Sequence, residues 1–171
     1  MDVPATSADD EGFLLDLLNT TPVIDGAPTD RLADLKMAAP WMNDHGVTVS
    51  DAEYAALRAA RDVLQAIVRG DQPPAALQPI LSATHLVPTA TEHGIDWQLT
   101  DTTGAVRAAL AWDSLRITSP GRLRPCANTE CQLFLLDRSK PNTARWCSMA
   151  VCGNRMKARR HHNRTSTGGK S

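Results

Sequence analysis

The sequence has little of the material that several classes of protein require. Aromatic residues make up 4% of its 171 residues, so a buried core must consist mainly of Leu, Ala, Val and Ile, which favours helices over sheets. No apolar run approaches the roughly 20 residues of a membrane-spanning helix, and the first residues are acidic where a secretion signal would be basic. These absences predict a cytoplasmic protein without a membrane partner.

Motifs of catalysis are also missing from the sequence. It contains no glycine-rich phosphate loop, no HExxH and no nucleophile elbow, and the histidines of residues 1–121 are scattered. We therefore assign no catalytic residue and expect no enzyme activity; an enzyme acting on a small molecule is a third hypothesis behind the two given below. We expect Trp41, Trp97 and Trp112 to fill a core rather than to line a ligand pocket.

The charge of the chain is divided between two regions. Residues 1–121 carry seven basic and 17 acidic residues, a net charge of −10, whereas residues 122–164 carry ten basic and two acidic residues, a net charge of +8. Pro and Gly mark a boundary at residues 119–121. We predict a domain over residues 1–121, a basic module over residues 122–164 and a flexible tail over residues 165–171.

The first region has mainly helical periodicity. After a loose leader over residues 1–10, apolar residues recur at helical spacing, although Pro40 should break or kink the second helix. Ser50 and Glu53 form the pattern of a capping box, and Gly70 ends the helix that follows. The segments "HLVPTA" and "IDWQLT" predict a hairpin, and a last helix follows from Gly104. The fold class is α+β, with a mainly α-helical N-terminal domain that includes a small β-hairpin.

All four cysteines lie within the basic module, in two equally spaced pairs. Their spacing is Cys126-x4-Cys131-x15-Cys147-x4-Cys152. Four thiolates satisfy tetrahedral zinc and leave no open position for water, so this pattern predicts one structural Zn²⁺. The alternatives are two disulfides or four unrelated thiols; the absence of a secretion signal disfavours the disulfides.

Between and after the cysteine pairs, the sequence predicts a turn, a short strand, a second turn and a helix that Ser148 caps. We therefore expect a treble-clef-like four-cysteine zinc finger that ends in a basic helix. Such a helix on a rigid module favours binding to duplex DNA. The predicted DNA contacts are Arg145, Arg155, Lys157, Arg159, Arg160 and Arg164. Two alternatives are a solvated tail and a protein-interaction module, in which the helix docks on an acidic partner or forms a homodimer interface.

Two stretches resemble known families. "WCSMAVCGNRMKARRH" is similar to the CGNR-type zinc finger of bacteria, named for the residues present here as 152–155, and "LLDLLNT" resembles the start of the ABATE domain, a family of proposed stress-induced transcription regulators. The resemblance implies that the four cysteines bind zinc, that the finger binds DNA, and that the N-terminal domain senses a signal or an unidentified small-molecule effector. It identifies no ligand-binding residue, and it leaves open whether Asn154 and Arg155 support the finger or contact DNA.

Overall fold

A computed structural model of the chain describes residues 7–167, and for residues 160 and 163–167 it describes the backbone alone. The fold is α+β, as predicted. The helices are α1 (Ala8–Leu18), α2 (Leu35–Asp44), α3 (Asp51–Arg69), α4 (Gln78–Leu81), α5 (Gly104–Thr118) and α6 (Asn154–Thr167), with a 3₁₀ turn at Pro74–Leu77 and a π-helical turn at Met149–Gly153. Three antiparallel pairs of strands are β1–β2 (Val23–Ile24, Ala27–Pro28), β3–β4 (His85–Thr91, Gly94–Thr100) and β5–β6 (Leu123–Pro125, Phe134–Leu136).

The core lies between α1, α3 and α5, which pack against one another. Each of these helices buries an apolar face of aliphatic side chains, as the periodicity predicts. Gly70 ends α3 in the left-handed conformation at φ 86°, which confirms the predicted end of that helix. Within residues 7–167, no helix is both long and apolar enough to cross a membrane.

The start of α1 corrects the predicted leader. Ser7 and Asp10 form a complete capping box, with the Ser7 hydroxyl accepting from the Asp10 amide and the Asp10 carboxylate accepting from the Ser7 amide. The helix therefore begins at Ala8 instead of after residue 10. The signal was present as a serine followed three residues later by a carboxylate, and the reciprocal hydrogen bonds satisfy amides that a helix start otherwise leaves unpaired.

Two further predictions about the helices need correction: the predicted break at Pro40 is absent, and the predicted capping box is incomplete. Helix α2 runs through Pro40 without a break, and the residues on that side, Lys36 and Pro40, are exposed. Water can therefore reach the carbonyl that loses its amide partner. The capping box at Ser50 is half formed: the serine hydroxyl accepts from the Glu53 amide, but the Glu53 carboxylate accepts instead from the amide of Gly104, the first residue of α5.

Strands β5 and β6 connect the basic module to the helical core. Although they follow the predicted boundary at residue 121, Phe134 of β6 is only 1% exposed and belongs to the same apolar cluster as α1, α3 and α5. Leu123 and Leu136, which face each other in the ladder, pack against that cluster as well. The two regions thus meet through a common core, and the module has a fixed position on the helices.

Candidate zinc centre and nucleic-acid interface

The backbone of the module brings the four cysteines together from two segments. Cys126 follows β5, Cys131 follows the turn after Asn128, Cys147 precedes the π-helical turn, and Cys152 lies within that turn. The Cys126 amide donates to the Leu133 carbonyl at 2.9 Å and the Cys131 amide donates to the Asn128 carbonyl at 2.8 Å, which closes the loop that holds the first pair. The Ala127 amide, which donates to the Arg145 carbonyl at 2.8 Å, joins this loop to the segment of the second pair.

The four sulfur atoms have the spacing of a tetrahedral zinc site. All four lie within 4.8 Å of one another; Sγ of Cys131 is 3.6 Å from Sγ of Cys147, which is 3.7 Å from Sγ of Cys152. Zn–S bonds of about 2.3 Å would place sulfurs about 3.8 Å apart around a tetrahedron. None of the four cysteines forms a disulfide, so the predicted alternative of two disulfides is wrong. The residues fit one Zn²⁺ held by four thiolates, which would supply structure and no open coordination position.

Burial of the cysteine cluster affects the acidities of its thiols. Burial, together with the neighbouring thiols, raises the pKa of Cys131 to about 11 and raises the pKa of Cys147 further. Four crowded thiolates repel one another, so a divalent cation is what allows them to lose their protons together. Cys131 and Cys147 therefore keep their protons without a metal, and a bound cation would displace those protons.

Asn128, for which the sequence predicts only a turn, supports this cluster. Asn128 is fully buried between the first two cysteines, and its Nδ2 lies 3.5 Å from Sγ of Cys152 while its Oδ1 accepts from the Glu130 amide. Burial opposes ionisation of Cys152, but the hydrogen bond from Asn128 leads the contributions that lower the pKa of that thiol below its usual value. Asn154 is exposed and donates instead to the Ala150 carbonyl, and its side chain has no hydrogen bond to a cysteine of the cluster. The turn signal around Asn128 was visible, but its contact with Cys152 was not.

Two family models match the chain, in the order of its two regions. The CGNR zinc finger matches residues 122–165, and the ABATE model, described as "Putative stress-induced transcription regulator", matches residues 11–128. The chain belongs to the ABATE family. No curated protein matches the chain. The CGNR match and the four-cysteine cluster together support one structural zinc ion in this ABATE protein.

Both matched families are regulatory or zinc-finger families, and neither is a family of enzymes. The two matches overlap over residues 122–128, the segment that holds β5 and the first cysteine. This overlap coincides with the place where the CGNR finger joins the core of the ABATE domain.

Asn19, at the end of the ABATE motif "LLDLLNT", connects the ABATE domain to the finger. Its Oδ1 accepts from the Phe134 amide at 2.7 Å, and its Nδ2 donates to the Phe134 carbonyl at 3.2 Å. The guanidinium of Arg69 lies 4.7 Å from the centre of the Phe134 ring and donates to the Gln132 carbonyl at 3.2 Å. These contacts attach β6 and the segment before it to the ends of two helices, since Asn19 ends α1 and Arg69 ends α3.

The basic residues of the finger fall into two groups. Arg122 and Arg124 face the protein: Arg122 donates to the carbonyls of Asp137 and Ser139, and Arg124 pairs with the buried Asp137 carboxylate at 2.6 Å. Hydrogen bonds from Ser139, followed by those from the Ala144 amide, hold the pKa of Asp137 at about 2, so this carboxylate remains charged. These two arginines brace the loop between the cysteine pairs.

The second group faces solvent. Arg145 is exposed and its guanidinium lies 5.4 Å from the centre of the Trp146 ring, while Arg155 and Lys157 are exposed on α6 without an ion pair to a described residue. Arg159 pairs with Glu130 at 3.0 Å, but both side chains are about half exposed, at 49% and 56%. The side chains of Arg160 and Arg164, which complete the predicted DNA contacts, lie outside the described residues.

A cavity in the ABATE domain lies at the start of α5. Its volume is about 350 Å³, and its polar lining includes Asp10, Glu53, Thr103 and Arg107. Oε1 of Glu53 accepts from the Gly104 amide at 3.3 Å, whereas its Oε2 is buried and has no hydrogen-bond partner among the described residues. The sequence predicts that the Glu53 carboxylate accepts from the Ser50 amide at the start of its own helix. Instead it accepts from the Gly104 amide and lines this cavity, which the local sequence does not indicate.

Proposed function

We propose that this ABATE protein is a DNA-binding transcription regulator. In this proposal the zinc-held CGNR finger presents α6 to duplex DNA, and the N-terminal domain responds to a small molecule. The observation that carries the proposal is the separation of the finger's cations: Arg122 and Arg124 are used internally, whereas Arg145, Arg155 and Lys157 face solvent. A surface that served only solubility would not need some cations in internal hydrogen bonds and others exposed to solvent. The ABATE domain carries a net negative charge, so positive charge is concentrated in the finger.

Phosphate neutralisation supplies the expected affinity. Each Lys or Arg that contacts a phosphate releases condensed counterions, so affinity falls linearly with the logarithm of salt concentration. The ion pair between Arg159 and Glu130 is half exposed, and water and salt screen such pairs, so it adds little stability. A DNA phosphate can therefore replace the carboxylate with a small loss of free energy. An α-helix also has the width that the major groove admits. We therefore expect α6 to lie in the groove and Arg145 to contact the flanking backbone.

Fluorescence anisotropy with a labelled random-sequence duplex, at several salt concentrations, tests the DNA half of the proposal. Arg155→Ala and Lys157→Ala should each weaken binding and reduce the salt slope by about 0.9 per lost phosphate contact. Lys36→Ala is the matched control, since Lys36 is an exposed lysine on the ABATE domain. Absence of binding by the zinc-loaded protein, or an affinity indifferent to salt, would refute the proposal. If both variants retained DNA but lost a protein complex, the alternative of an interaction module would replace it.

The cavity beside α5 supports the sensing half. Its volume lies at the low end of the range for ligand pockets, about 300–1,000 Å³. A carboxylate oxygen that is buried without a partner is costly, so Oε2 of Glu53 favours a ligand with an N–H or ammonium donor. Val47, Leu99 and Leu110 supply an apolar wall for the rest of such a molecule. We therefore expect a small amine with a compact apolar part.

Millimolar n-butylamine and its neutral counterpart 1-butanol are suitable probes of this cavity. The amine should shift the NMR resonance of the Gly104 amide, which hydrogen-bonds to Glu53, and the alcohol should shift it much less. Glu53→Gln keeps the size of the side chain and should remove the difference between the two probes. Equal effects of amine and alcohol, or none at all, would show that this cavity is not an amine site.

A further inference from the structure

The hairpin β3–β4 is amphipathic across its two strands. In an antiparallel pair, residues that face each other project to the same side of the sheet, and the side alternates along each strand. One face carries the pairs Leu86–Leu99, Pro88–Trp97 and Ala90–Ile95, and the other carries His85–Thr100, Val87–Gln98 and Thr89–Asp96. Every residue of the first face is apolar, and most of the second face is polar.

This apolar face is largely exposed. Ile95 is 65% exposed and Trp97 is 44% exposed, which contradicts the expectation that Trp97 fills a core; Trp112, in contrast, is buried. Within the described part of the chain, the sheet consists of these two strands only. An isolated two-stranded hairpin is marginally stable in water, and an exposed apolar edge favours pairing with another chain. The exposed apolar face and the unpaired strand edges thus make this hairpin a candidate for pairing with another chain.

Pro88 shows which edge is open. A proline has no amide hydrogen, so the pair Pro88–Trp97 occupies a non-hydrogen-bonded position, where amides and carbonyls point away from the partner strand. By alternation, Ile95, Trp97 and Leu99 all direct their backbone groups to the outer edge of β4. The outer edge of β3 lacks one donor at Pro88, which blocks continuous pairing there.

We propose that β4 pairs antiparallel with β4 of a second copy of this chain, around a two-fold axis at Trp97. In that register Ile95 lies opposite Leu99 of the second copy, and Trp97 lies opposite its own counterpart. The backbone groups of three residues per copy then form about six interchain hydrogen bonds. The two apolar faces join into one side of a four-stranded sheet. On that side the Trp97 rings of the two copies contact each other, and Ile95 contacts Leu99 of the second copy.

Charge and symmetry both favour a second copy of this chain as the partner at the outer edge of β4. The only charged residue within β4 is Asp96, and the two-fold register places it opposite Gln98 of the second copy, so no like charges face each other. The contact is self-complementary, as a two-fold interface requires. Because Pro88 blocks the outer edge of β3, pairing ends at two copies and does not continue into a fibre. The contact is small, so we expect a weak dimer.

Sedimentation velocity of the zinc-loaded full chain, over roughly 10 to 500 μM and without DNA, tests the proposal. The chain should associate to a dimer as concentration rises. Gln98→Lys places a lysine opposite Asp96 at both symmetric positions and should tighten the dimer about three- to tenfold, whereas Gln98→Asp opposes two carboxylates and should loosen it by a similar factor. Gln98 is exposed on the polar face, so both variants should fold, which thermal melts would verify.

A second variant removes the interchain bonds directly. Trp97→Pro deletes an amide that points outward and leaves the bonds between β3 and β4 intact, so it should leave a monomer at every concentration. A wild-type chain that stays monomeric throughout the range overturns the proposal, as does a dimer that Gln98→Lys and Gln98→Asp affect alike. Because no DNA is present, these outcomes leave the proposed DNA binding of the finger untouched.

Discussion

Replacement of Asn19 by Ala should measure how firmly the ABATE domain holds the CGNR finger. The side chain makes two hydrogen bonds to one backbone unit of β6: it accepts from the Phe134 amide at 2.7 Å and donates to the Phe134 carbonyl at 3.2 Å. Phe134 is buried, so bulk water cannot replace the acceptor that its amide loses in this variant. The substitution thus removes both hydrogen bonds between Asn19 and Phe134, here called the Asn19 clip, without changing a zinc ligand.

The expected loss of stability follows from these two bonds. An unsatisfied buried donor costs about 1–3 kcal/mol, and a lost neutral hydrogen bond about 1 kcal/mol. Asn19 is half-buried, so water recovers part of this, and we expect about 2–3 kcal/mol in total. For a chain of this size, that corresponds to a fall in Tm of about 5–10 °C. Asn19→Asp should be at least as harmful, because it keeps the acceptor but sets a carboxylate oxygen against the Phe134 carbonyl.

Thermal melts of the zinc-loaded variants, with zinc transfer to a chromophoric chelator as a second readout, would test this reasoning. Asn43→Ala is the matched control, since Asn43 is exposed on α2 and its side chain makes no hydrogen bond with a described residue. If Asn19→Ala and Asn43→Ala melted within about 1 °C of each other, Asn19 would not hold the finger. If Asn19→Ala lowered Tm but left zinc transfer unchanged, the clip would stabilise the core without protecting the metal.

Two further substitutions test other parts of the structure. Asn128→Ala removes the amide that contacts Cys152 and should weaken zinc binding about 10- to 100-fold in chelator competition; an unchanged affinity would rule out that contact as a support of the site. Asp30→Asn removes one of the two carboxylates that pair with Arg61, which is 3% exposed, and should destabilise the metal-free chain by about 2 kcal/mol at pH 7, with the exposed Asp25→Asn as control. The pKa of Asp30 is lowered, chiefly because the bonds and charge of Arg61 outweigh burial, so its contribution is complete above the unfolded value near 4. The difference between wild type and variant in urea unfolding should therefore shrink only as pH falls below about 4, and a difference that shrank between pH 7 and 5 would contradict this assignment.

The sequence predicted best where a local pattern and the tertiary contacts agree. The helix that ends at Gly70, the hairpin between "HLVPTA" and "IDWQLT", and the gathering of four cysteines all follow from spacing over a few residues. In each case the signal is local: a left-handed glycine, an alternation that two strands share, or thiol pairs that one metal ion can satisfy.

Other contacts could not be predicted because a side chain had a choice between a local and a distant partner. Glu53 could accept from the amide of its own cap or from Gly104, which is 51 residues away, and it does the latter. Asn19 likewise bonds across 115 residues, and nothing near it in the sequence identifies Phe134 as its partner. Such contacts depend on how helices and strands pack, so periodicity alone does not determine them.

Under the proposed function, α1 is the element that connects the cavity of the ABATE domain to the finger. Asp10, near the start of this helix, lines the cavity, and Asn19, at its end, holds the finger, a separation of about 14 Å at 1.5 Å per residue. Between them, Glu11 pairs with Arg138 of the finger at 3.1 Å. A ligand that changed the pairing of Asp10 with Arg107 would therefore act on the same rigid helix that positions β6. If the proposed sensing is correct, a shift of α1 would change the contacts of Asn19 with β6, while Arg69 at the end of α3 holds the same segment.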